Sequence, residues 1–444
     1  MDASTSSSSN KNIYGEVFTP TELIQEMLDH LPKNVWTQPK LHWLDPCAGT
    51  GNFFEAVIPR LMEGLKDAIP NSQARKNHIL QNMLTMVELN PVNIRRLKYK
   101  YSDSTKIIHG DFLDNTVIDD SKQLYDIILA NPPYQSPKHE SYTGSAGNRT
   151  LWDLFIKKAM SICRHGSFLG WITPSNWRRP EHPLFPILFD KILYIHIYDK
   201  SAGKKIFGAQ TRFDLYVISS EGYSQKPIPL LVDEHGVSHH NKIIPKNWPF
   251  YPNFLYEKIK SLLIIPKNND KNNGQTSKAT ESPEKFGIPV IYDSSVYDAR
   301  VLTKRPTHIH KFPVIHTLTA KGIGIRYAKH KSDKQFGIPK VILNFNEKQY
   351  PVNDYDGKYG MSQLSFGIPI RTKTEGERMI QCMETPVFQD IIKATKWGSF
   401  QTDYRMFKYF RKDFVNILCP TKKNISSRRL PFVKHNLTQK NKYV

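Results

Sequence analysis

The stretch 41-LHWLDPCAGTGNF-53 decides the fold class, because it predicts a short strand, a glycine turn and the start of a helix. Gly49 and Gly51 let the backbone approach a ligand closely, and the following helix presents free N–H groups. Asp45 ends the strand, where its carboxylate can accept from a cationic group or a hydroxyl. A purely structural turn has the same pattern, so the neighbouring stretches must decide between the two.

Helix and strand patterns alternate on both sides of this stretch, from residue 19 to residue 220. Strands separated by helices are typical of a doubly wound α/β sheet. Beyond residue 225 the pattern changes to short strands with one helical stretch, 374–396. The other predicted strands of the first half are 84–89, 106–112, 125–130, 167–174, 192–199 and 212–220, and its predicted helices are 19–31, 53–66, 73–83 and 151–163.

A second acidic side chain, Glu88, stands near the end of the strand predicted at 84–89. A carboxylate at this position is the usual partner of ribose hydroxyls, and Asn90 is the nearest substitute. Glu88 lies 37 residues after Gly51, whereas the dinucleotide fingerprint places its acidic residue about 20 residues on. We therefore expect an enlarged first connection rather than a plain NAD site.

The third strand end, in 106–112, carries Asp111 and Phe112. Asp111 can accept from an exocyclic amine, and Phe112 can stack on an adenine ring. The carboxyl ends of parallel strands meet at one edge of a sheet, where ligands of such folds bind. Because Asp45, Glu88 and Asp111 all stand at such ends, they predict one nucleotide-like ligand site.

The fourth strand ends in 131-NPPY-134. Two prolines cannot donate to a sheet ladder, so the strand stops there on a stiffened turn. The amide oxygen of Asn131 and the carbonyl of Pro132 can accept from the two N–H groups of an exocyclic amine, which makes its nitrogen more nucleophilic. Tyr134 can stack on the same base. This chemistry requires no thiol or hydroxyl nucleophile.

The net charge of +21 is unevenly divided along the chain. Residues 1–225 hold 25 Lys and Arg against 23 Asp and Glu, and residues 226–444 hold 37 against 18, so +2 and +19 sum to +21. This asymmetry predicts that the second half binds a polyanion. The candidate contacts, which are interleaved with aromatic residues, are Arg300, Lys304, Arg305, Lys321, Arg326, Arg405, Lys408 and Arg411.

Length and composition set the remaining bounds. A chain of 444 residues is long enough for two to three domains. No run approaches the ~18 apolar residues of a membrane span. We expect a disordered tail over 1–13 and a flexible loop over 265–285, which is polar and low in complexity. Four scattered cysteines without metal-ligand spacing predict reduced thiols in the cytoplasm and no metal site. A protein of viral origin would instead lie in the cytoplasm or nucleus of the host cell.

Together these stretches resemble the gamma-class N6-adenine-specific DNA methyltransferases of type II restriction–modification systems in bacteria and their viral relatives. The resemblance covers about residues 14–220 and implies a Rossmann-like, S-adenosylmethionine-dependent domain over 14–225. It implies an α+β target-recognition domain over 226–444. The stretches similar to the family's motifs X, I, II, III and IV are, in order, YGEVFTP (14–20), DPCAGTGNF (45–53), VELN (87–90), GDF (110–112) and NPPY (131–134).

The resemblance also implies a role for each site residue. Asn131, Pro132 and Tyr134 hold an adenine that has flipped out of the duplex. The stretch 201–218 is similar to a later motif whose aromatic ring packs against that adenine, and we assign this ring to Phe207 because strand alternation places Phe213 in the core. The implied cofactor residues are Thr19 and Asp45 for the methionine end of S-adenosylmethionine, Glu88 for its ribose, and Asp111 and Phe112 for its adenine, with Gly49 and Gly51 also binding the cofactor.

Three alternatives to a DNA methyltransferase stay open. NPPY also occurs in methyltransferases that act on RNA bases or on protein glutamine, but those lack so large a basic second half. A non-catalytic DNA-binding protein is less favoured, because the glycine turn and NPPY are intact. A fused restriction enzyme would need a nuclease constellation, and none is evident after residue 220. We therefore expect a monomer that acts on double-stranded DNA beside a separate cognate restriction endonuclease.

Overall fold

The computed structural model divides the chain into two compact units. The first comprises Met1–Tyr256 with Lys393–Met406, and the second comprises Glu257–Ile392 with Phe407–Val444. The predicted tail (1–13), the first residues of the motif X stretch (14–16) and the predicted loop (265–285) lie outside the described residues. The described residues are 17–101, 104–119, 121–122, 124–135, 150–222, 227–243, 248–264, 287–293, 295, 297–346, 348–398 and 402–420.

A nine-stranded mixed sheet organises the first unit, in the order β3-β2-β1-β4-β5-β7-β6-β8-β9. The neighbours from β3 to β5 pair in parallel, and β7 runs antiparallel to both β5 and β6. This architecture confirms the predicted α/β class. The strands are β1 (Trp43–Asp45), β2 (Leu84–Glu88), β3 (Lys106–His109), β4 (Tyr125–Ala130), β5 (Cys163–Pro174), β6 (Ile192–Tyr198), β7 (Phe213–Ser219), β8 (Ile228–Val232) and β9 (Ser238–Lys242).

Helices follow the strands of the first unit and cover the sheet. Apolar side chains of the first two helices, such as Met27 and Phe54, are fully buried in one core with Trp43 of β1. Local capping sets some of the helix ends: Asn71 accepts from the Ala74 N–H. The helices are α1 (Thr21–Asp29), α2 (Asn52–Gly64), α3 (Ser72–His78), α4 (Pro91–Tyr101), α5 (Trp152–Ile162), α6 (Phe185–Leu188) and α7 (Lys200–Phe207), with a π-helical turn at Ile79–Met83 and 3-10 turns at Lys33–Trp36 and Ser175–Arg178.

The sheet continues beyond residue 225, where the charge balance of the sequence changes. Strand β8 pairs in parallel with β6, with Leu231 opposite Ile195, and β9 closes the edge. A later segment also belongs to the first unit, since the Trp397 indole N–H donates to the Tyr251 carbonyl oxygen at 2.6 Å. The described residues 227–243 and 248–256 therefore cluster with the first unit, whereas the second domain predicted from the sequence begins at residue 226.

The second unit contains two small sheets, ordered β11-β10-β14 and β13-β12-β15, and short helices. The predicted helical stretch 374–396 is two helices, because Pro386 cannot donate a helical hydrogen bond and starts a new helix instead. Among the described residues, no helix combines the length and apolar character needed to span a membrane. The elements are α8 (Tyr256–Leu262), β10 (Phe312–Thr319), β11 (Gly322–Ala328), β12 (Lys340–Asn344), β13 (Val352–Asp354), β14 (Gly360–Met361), β15 (Ser365–Pro369), α9 (Lys373–Met383), α10 (Pro386–Ala394) and α11 (Phe414–Leu418), with 3-10 turns at Ala299–Val301 and Tyr404–Tyr409.

Candidate active site

The turn between β1 and α2 requires its two glycines. Gly49 and Gly51 have φ angles of 54° and 84°, which lie in the left-handed region. A Cβ on Gly51 would come within 2.7 Å of the Tyr101 ring, whose hydroxyl donates to the Gly51 carbonyl at 2.6 Å. The Ala48 N–H donates to the Val87 carbonyl at 3.0 Å. The turn is therefore held rigidly against the next strand and helix α4.

Glu88 holds the same turn from the end of β2. One of its carboxylate oxygens accepts from the Gly49 N–H at 2.6 Å and the other from the Asn90 N–H at 2.6 Å. The side chain is 7% exposed. The contact with a ribose predicted for Glu88 stays a prediction. The structure shows a second role, because the Glu88 side chain holds the glycine turn in place.

Asp45 carries a buried carboxylate oxygen without a partner. Its Oδ1 accepts from the Cys47 N–H at 3.1 Å, whereas Oδ2 has no hydrogen-bond partner among the described residues. Burial raises the pKa of Asp45 to about 8, and the charge of Glu88 adds to this rise against the Cys47 bond, which lowers it. The carboxyl is therefore largely protonated at neutral pH in the free protein, and a cationic or hydroxyl donor on a ligand would favour its charged, accepting form.

The end of β4 is tied to the motif X stretch through Asn131. Its amide nitrogen Nδ2 donates to Thr19 Oγ1 at 3.1 Å. The Thr19 carbonyl in turn accepts from Asn52 Nδ2, at the start of α2, at 3.3 Å. Three stretches that the sequence analysis singled out therefore meet here: motif X, the glycine turn and NPPY. The amide oxygen of Asn131 is the atom of this side chain left to accept from a ligand.

Tyr134 is half-buried, but its hydroxyl is fully buried and has no hydrogen-bond partner among the described residues. Burial raises the pKa of Tyr134 well above its usual range, and the nearby charge of Asp214 raises it further. The phenol is therefore neutral at every physiological pH. An uncharged ring suits stacking on a base, which is the role predicted for Tyr134.

Two predicted stacking rings lie in the core. Phe112 is 1% exposed and packs against Phe155 with ring centroids 5.1 Å apart. Phe207 is 7% exposed and packs edge-on against Phe213, 4.9 Å away. Neither ring presents an open face in this structure, because Phe207 belongs to the main apolar core and Phe112 is buried with the Lys158 ammonium over its ring, 5.4 Å from the ring centroid. Stacking by Phe112 or Phe207 stays a prediction that would require these contacts to open.

Asp111 is exposed, and its Oδ1 accepts from the Leu113 N–H at 2.9 Å in a tight turn. The second carboxylate oxygen is free of any bond in the described part of the chain. Its predicted contact with an exocyclic amine therefore remains geometrically open. It stays a prediction, as do the cofactor contacts of Thr19 and the glycine turn.

A buried ion pair beside Tyr134 was not anticipated from the sequence. The Arg178 guanidinium forms a bidentate ion pair with Asp214, with Nε–Oδ2 at 2.7 Å and Nη2–Oδ1 at 3.0 Å. Both side chains are 0% exposed. Ser175 also donates to Asp214, at 2.8 Å. The one available signal was an acidic residue inside the apolar run 213–219. Asn52 and Tyr101 gave no such signal, because their roles depend on contacts between distant residues.

Comparison with known proteins agrees with this arrangement. Residues 54–207 match the model of a family described as Eco57I restriction-modification methylase. An "uncharacterized adenine-specific methylase" of Mycoplasma pneumoniae is 27% identical, over 40% of this chain and 59% of the relative. The "type II methyltransferase M.VspI" of a Vibrio species is also 27% identical, over 37% of this chain and 38% of the relative. The matches thus span less than two thirds of both relatives.

A solved structure shares the fold over most of the chain. The type IIL restriction-modification enzyme MmeI, in complex with DNA, aligns with a TM-score of 0.52 over 92% of this chain and 69% of its own. Its sequence identity of 12% limits this likeness to the fold. The family match covers α2 through α7, including the strand ends that carry Glu88, Asp111 and Asn131. On these grounds, residues 54–207 are similar to the Eco57I restriction-modification methylase family, and the chain as a whole shares the fold of a restriction-modification enzyme.

Proposed function

We propose that this chain transfers a methyl group from S-adenosylmethionine to N6 of an adenine that is flipped out of a specific site in double-stranded DNA. One observation carries the proposal: the Asn131 amide nitrogen is bonded to Thr19, so its oxygen is the group left for a base amine. The adenine-specific activity in the name of the Mycoplasma pneumoniae relative supports the choice of base. Flipping is needed because a stacked base cannot reach a donor on the protein.

The residues of the sheet edge fit the cofactor. The unpartnered Asp45 Oδ2 can take the ammonium or a hydroxyl of S-adenosylmethionine. Gly49 leaves open space in which a ligand can approach the backbone, whereas the space beside Gly51 holds the Tyr101 ring. Glu88, at the end of β2, is the residue proposed to face the ribose, and Asp111 keeps one carboxylate oxygen to accept from the adenine amine. When bound, this cofactor supplies an electrophilic methyl group.

The NPPY residues act on the target base. Asn131 Oδ1 and the Pro132 carbonyl would accept the two N–H groups of the adenine amine, which draws its lone pair out of conjugation with the ring. The two prolines keep that carbonyl in place. Tyr134, neutral and half-buried, would hold the base by stacking. Positioning and electrostatics supply the catalysis, since no covalent intermediate with the protein is needed.

Seven of the eight proposed DNA contacts, all but Lys408, divide into two classes. Three of the candidate arginines already hold nearby acids: Arg300 with Asp298 at 2.6 Å, Arg405 with Asp403 at 2.5 Å, and Arg411 with Asp413 at 2.8 Å. A different group has no ion pair in the described part of the chain: Lys304, Arg305, Lys321 and Arg326.

The unpaired cations are concentrated in one segment of the second unit. Residues 304–334 contain eight lysines and arginines but a single acid, Asp333. An arginine already held by an acid must give up that partner before it binds phosphate, whereas an unpaired cation is available at once. We therefore propose that the segment around β10 and β11 makes most of the phosphate contacts.

Sequencing that detects modified bases in DNA from cells expressing the chain tests the function and names the site. We expect N6-methyladenine at one recurring sequence, and none in cells expressing Asn131→Ala. A folded, expressed protein that leaves all adenines unmodified would contradict the proposal. Methylated RNA or protein glutamine in the same cells would favour the alternative substrate. Light scattering tests the expected monomer, and assay of divalent-metal-dependent DNA cleavage tests the expectation that any restriction nuclease is a separate protein.

A further inference from the structure

The position of Asn131 at the end of β4 does not by itself determine which way its side-chain amide is turned. An amide side chain can rotate by half a turn about its last bond, which exchanges Oδ1 and Nδ2 at almost the same positions. In one orientation the oxygen is presented to a base amine. In the other, an N–H donor meets an N–H donor and the interaction is repulsive. Catalysis of the proposed kind therefore needs a group that distinguishes the two orientations.

Thr19 is placed to make that distinction. Its Oγ1 accepts from Asn131 Nδ2 at 3.1 Å, and Thr19 is 6% exposed, so bulk water does not replace it easily. The backbone of Thr19 is itself constrained. Pro20 follows it and disfavours helical angles at Thr19, and the Pro20 carbonyl accepts the Ile24 N–H at the start of α1.

The glycine turn reaches Thr19 through a second amide. Asn52 Nδ2 donates to the Thr19 carbonyl at 3.3 Å, and Asn52 Oδ1 accepts from the Thr50 hydroxyl at 2.8 Å. A continuous chain of hydrogen bonds thus runs from the glycine turn through Asn52 and Thr19 to Asn131. The cofactor contact assigned to Thr19 by resemblance does not include this connection.

We infer that Thr19 is a positioning residue, which holds the Asn131 amide with its oxygen toward the base and links this orientation to the glycine turn. The inference rests on the proposed function. It predicts that loss of the Thr19 hydroxyl slows methyl transfer more than it weakens binding of DNA or cofactor.

Two substitutions of the same residue, Thr19, test the inference. Thr19→Val keeps the shape and removes the acceptor, whereas Thr19→Ser keeps the acceptor. Under single-turnover conditions with saturating cofactor and DNA, we expect Thr19→Val to slow methylation by about 10–100-fold, the size of a lost orienting contact, and Thr19→Ser to stay within about threefold. Dissociation constants for S-adenosylhomocysteine and DNA, with melting temperature, are measured alongside.

A purely structural or cofactor-binding role would give a different pattern. Thr19→Val would then raise the dissociation constant of S-adenosylhomocysteine or lower the melting temperature, while the saturated rate stayed at the wild-type value; that result would overturn the inference. An Asn131→Asp background adds a second test, because its two carboxylate oxygens are equivalent acceptors. There the Thr19→Val penalty should shrink, and an undiminished penalty would count against orientation. If the wild type itself does not methylate DNA, the proposed function fails instead.

Discussion

At the scale of single residues, the site combines a carboxylate that accepts hydrogen bonds at both oxygens with a carboxyl group that has one buried oxygen without a partner among the described residues. Glu88 is held by two backbone N–H groups, whereas Asp45 Oδ2 is buried without a partner. A protein tolerates such an orphan where a ligand completes it, at some loss of stability in the free state. Function and stability should therefore respond in opposite directions when Asp45 is changed.

Asp45→Asn should make the cofactor-free protein less sensitive to pH. The pKa of Asp45 is about 8 in the folded state and about 3.9 in an unfolded chain. The folded state therefore binds more protons between these values, and wild-type stability falls as pH rises through this window. We expect calorimetry to show a smaller drop in melting temperature from pH 5 to pH 9 for the variant. The affinity of the variant for S-adenosylhomocysteine should be weaker. If the melting temperatures of the wild type and the variant changed equally with pH, the role of Asp45 would be contradicted.

At the scale of elements, the sequence predicts the strands well because their apolar runs are long and bounded. The run 125–130 predicts β4 with its observed bounds, and the prolines after it stop the strand as expected. Alternation could not show that the rings of Phe112 and Phe207 are buried. Phe207 turns inward from helix α7 onto Phe213, and the contact of Phe112 with Phe155 joins elements far apart in sequence. The hydrogen bond between Thr19 and Asn131 was unpredictable for the same reason.

The buried pair between β7 and the turn after β5 should be the most sensitive polar contact of this sheet. Asp214→Ala leaves the Arg178 charge buried and uncompensated, which we expect to cost about 3–5 kcal/mol of unfolding free energy. The control is Glu63→Gln, which breaks an exposed pair with Lys66 and should cost less than about 1 kcal/mol. Urea unfolding measures both. Equal losses in the two variants would contradict a dominant role for the buried pair.

At the scale of the whole molecule, the net charge distinguishes the two halves of the sequence in a way that the fold class does not. The excess of +19 in residues 226–444 predicted a polyanion-binding half, and the structure shows which cations are available. Charge could not locate the unit boundary, because β8 and β9 join the first sheet through backbone pairing that does not depend on net charge. Net charge therefore predicts a class of partner for residues 226–444, which stays a prediction, and carries no information on where a sheet ends.

Unpaired cations should contribute more to DNA affinity than paired ones. Lys321→Gln and Arg326→Gln should each weaken binding and reduce the slope of log affinity against log salt by about 0.9, the value for one phosphate contact. Arg300→Gln and Arg411→Gln remove the same charge from arginines that already hold Asp298 and Asp413. We expect smaller effects from these two controls. Fluorescence anisotropy at several salt concentrations makes the comparison, and equal losses in both classes would show that local pairing does not select the contacts.

The central claim is that Asn131 presents its amide oxygen to the amine of an adenine in DNA. The most direct measurement is transfer of labelled methyl from S-adenosylmethionine to duplex DNA of random sequence, by the wild type and by Asn131→Ala, with cofactor affinity measured in parallel. The account predicts label in N6-methyladenine for the wild type, a loss on the order of 10²–10³-fold or more in the variant, and similar cofactor affinity. An Asn131→Ala protein that methylates adenine at the wild-type rate, or one that no longer binds the cofactor, would contradict it.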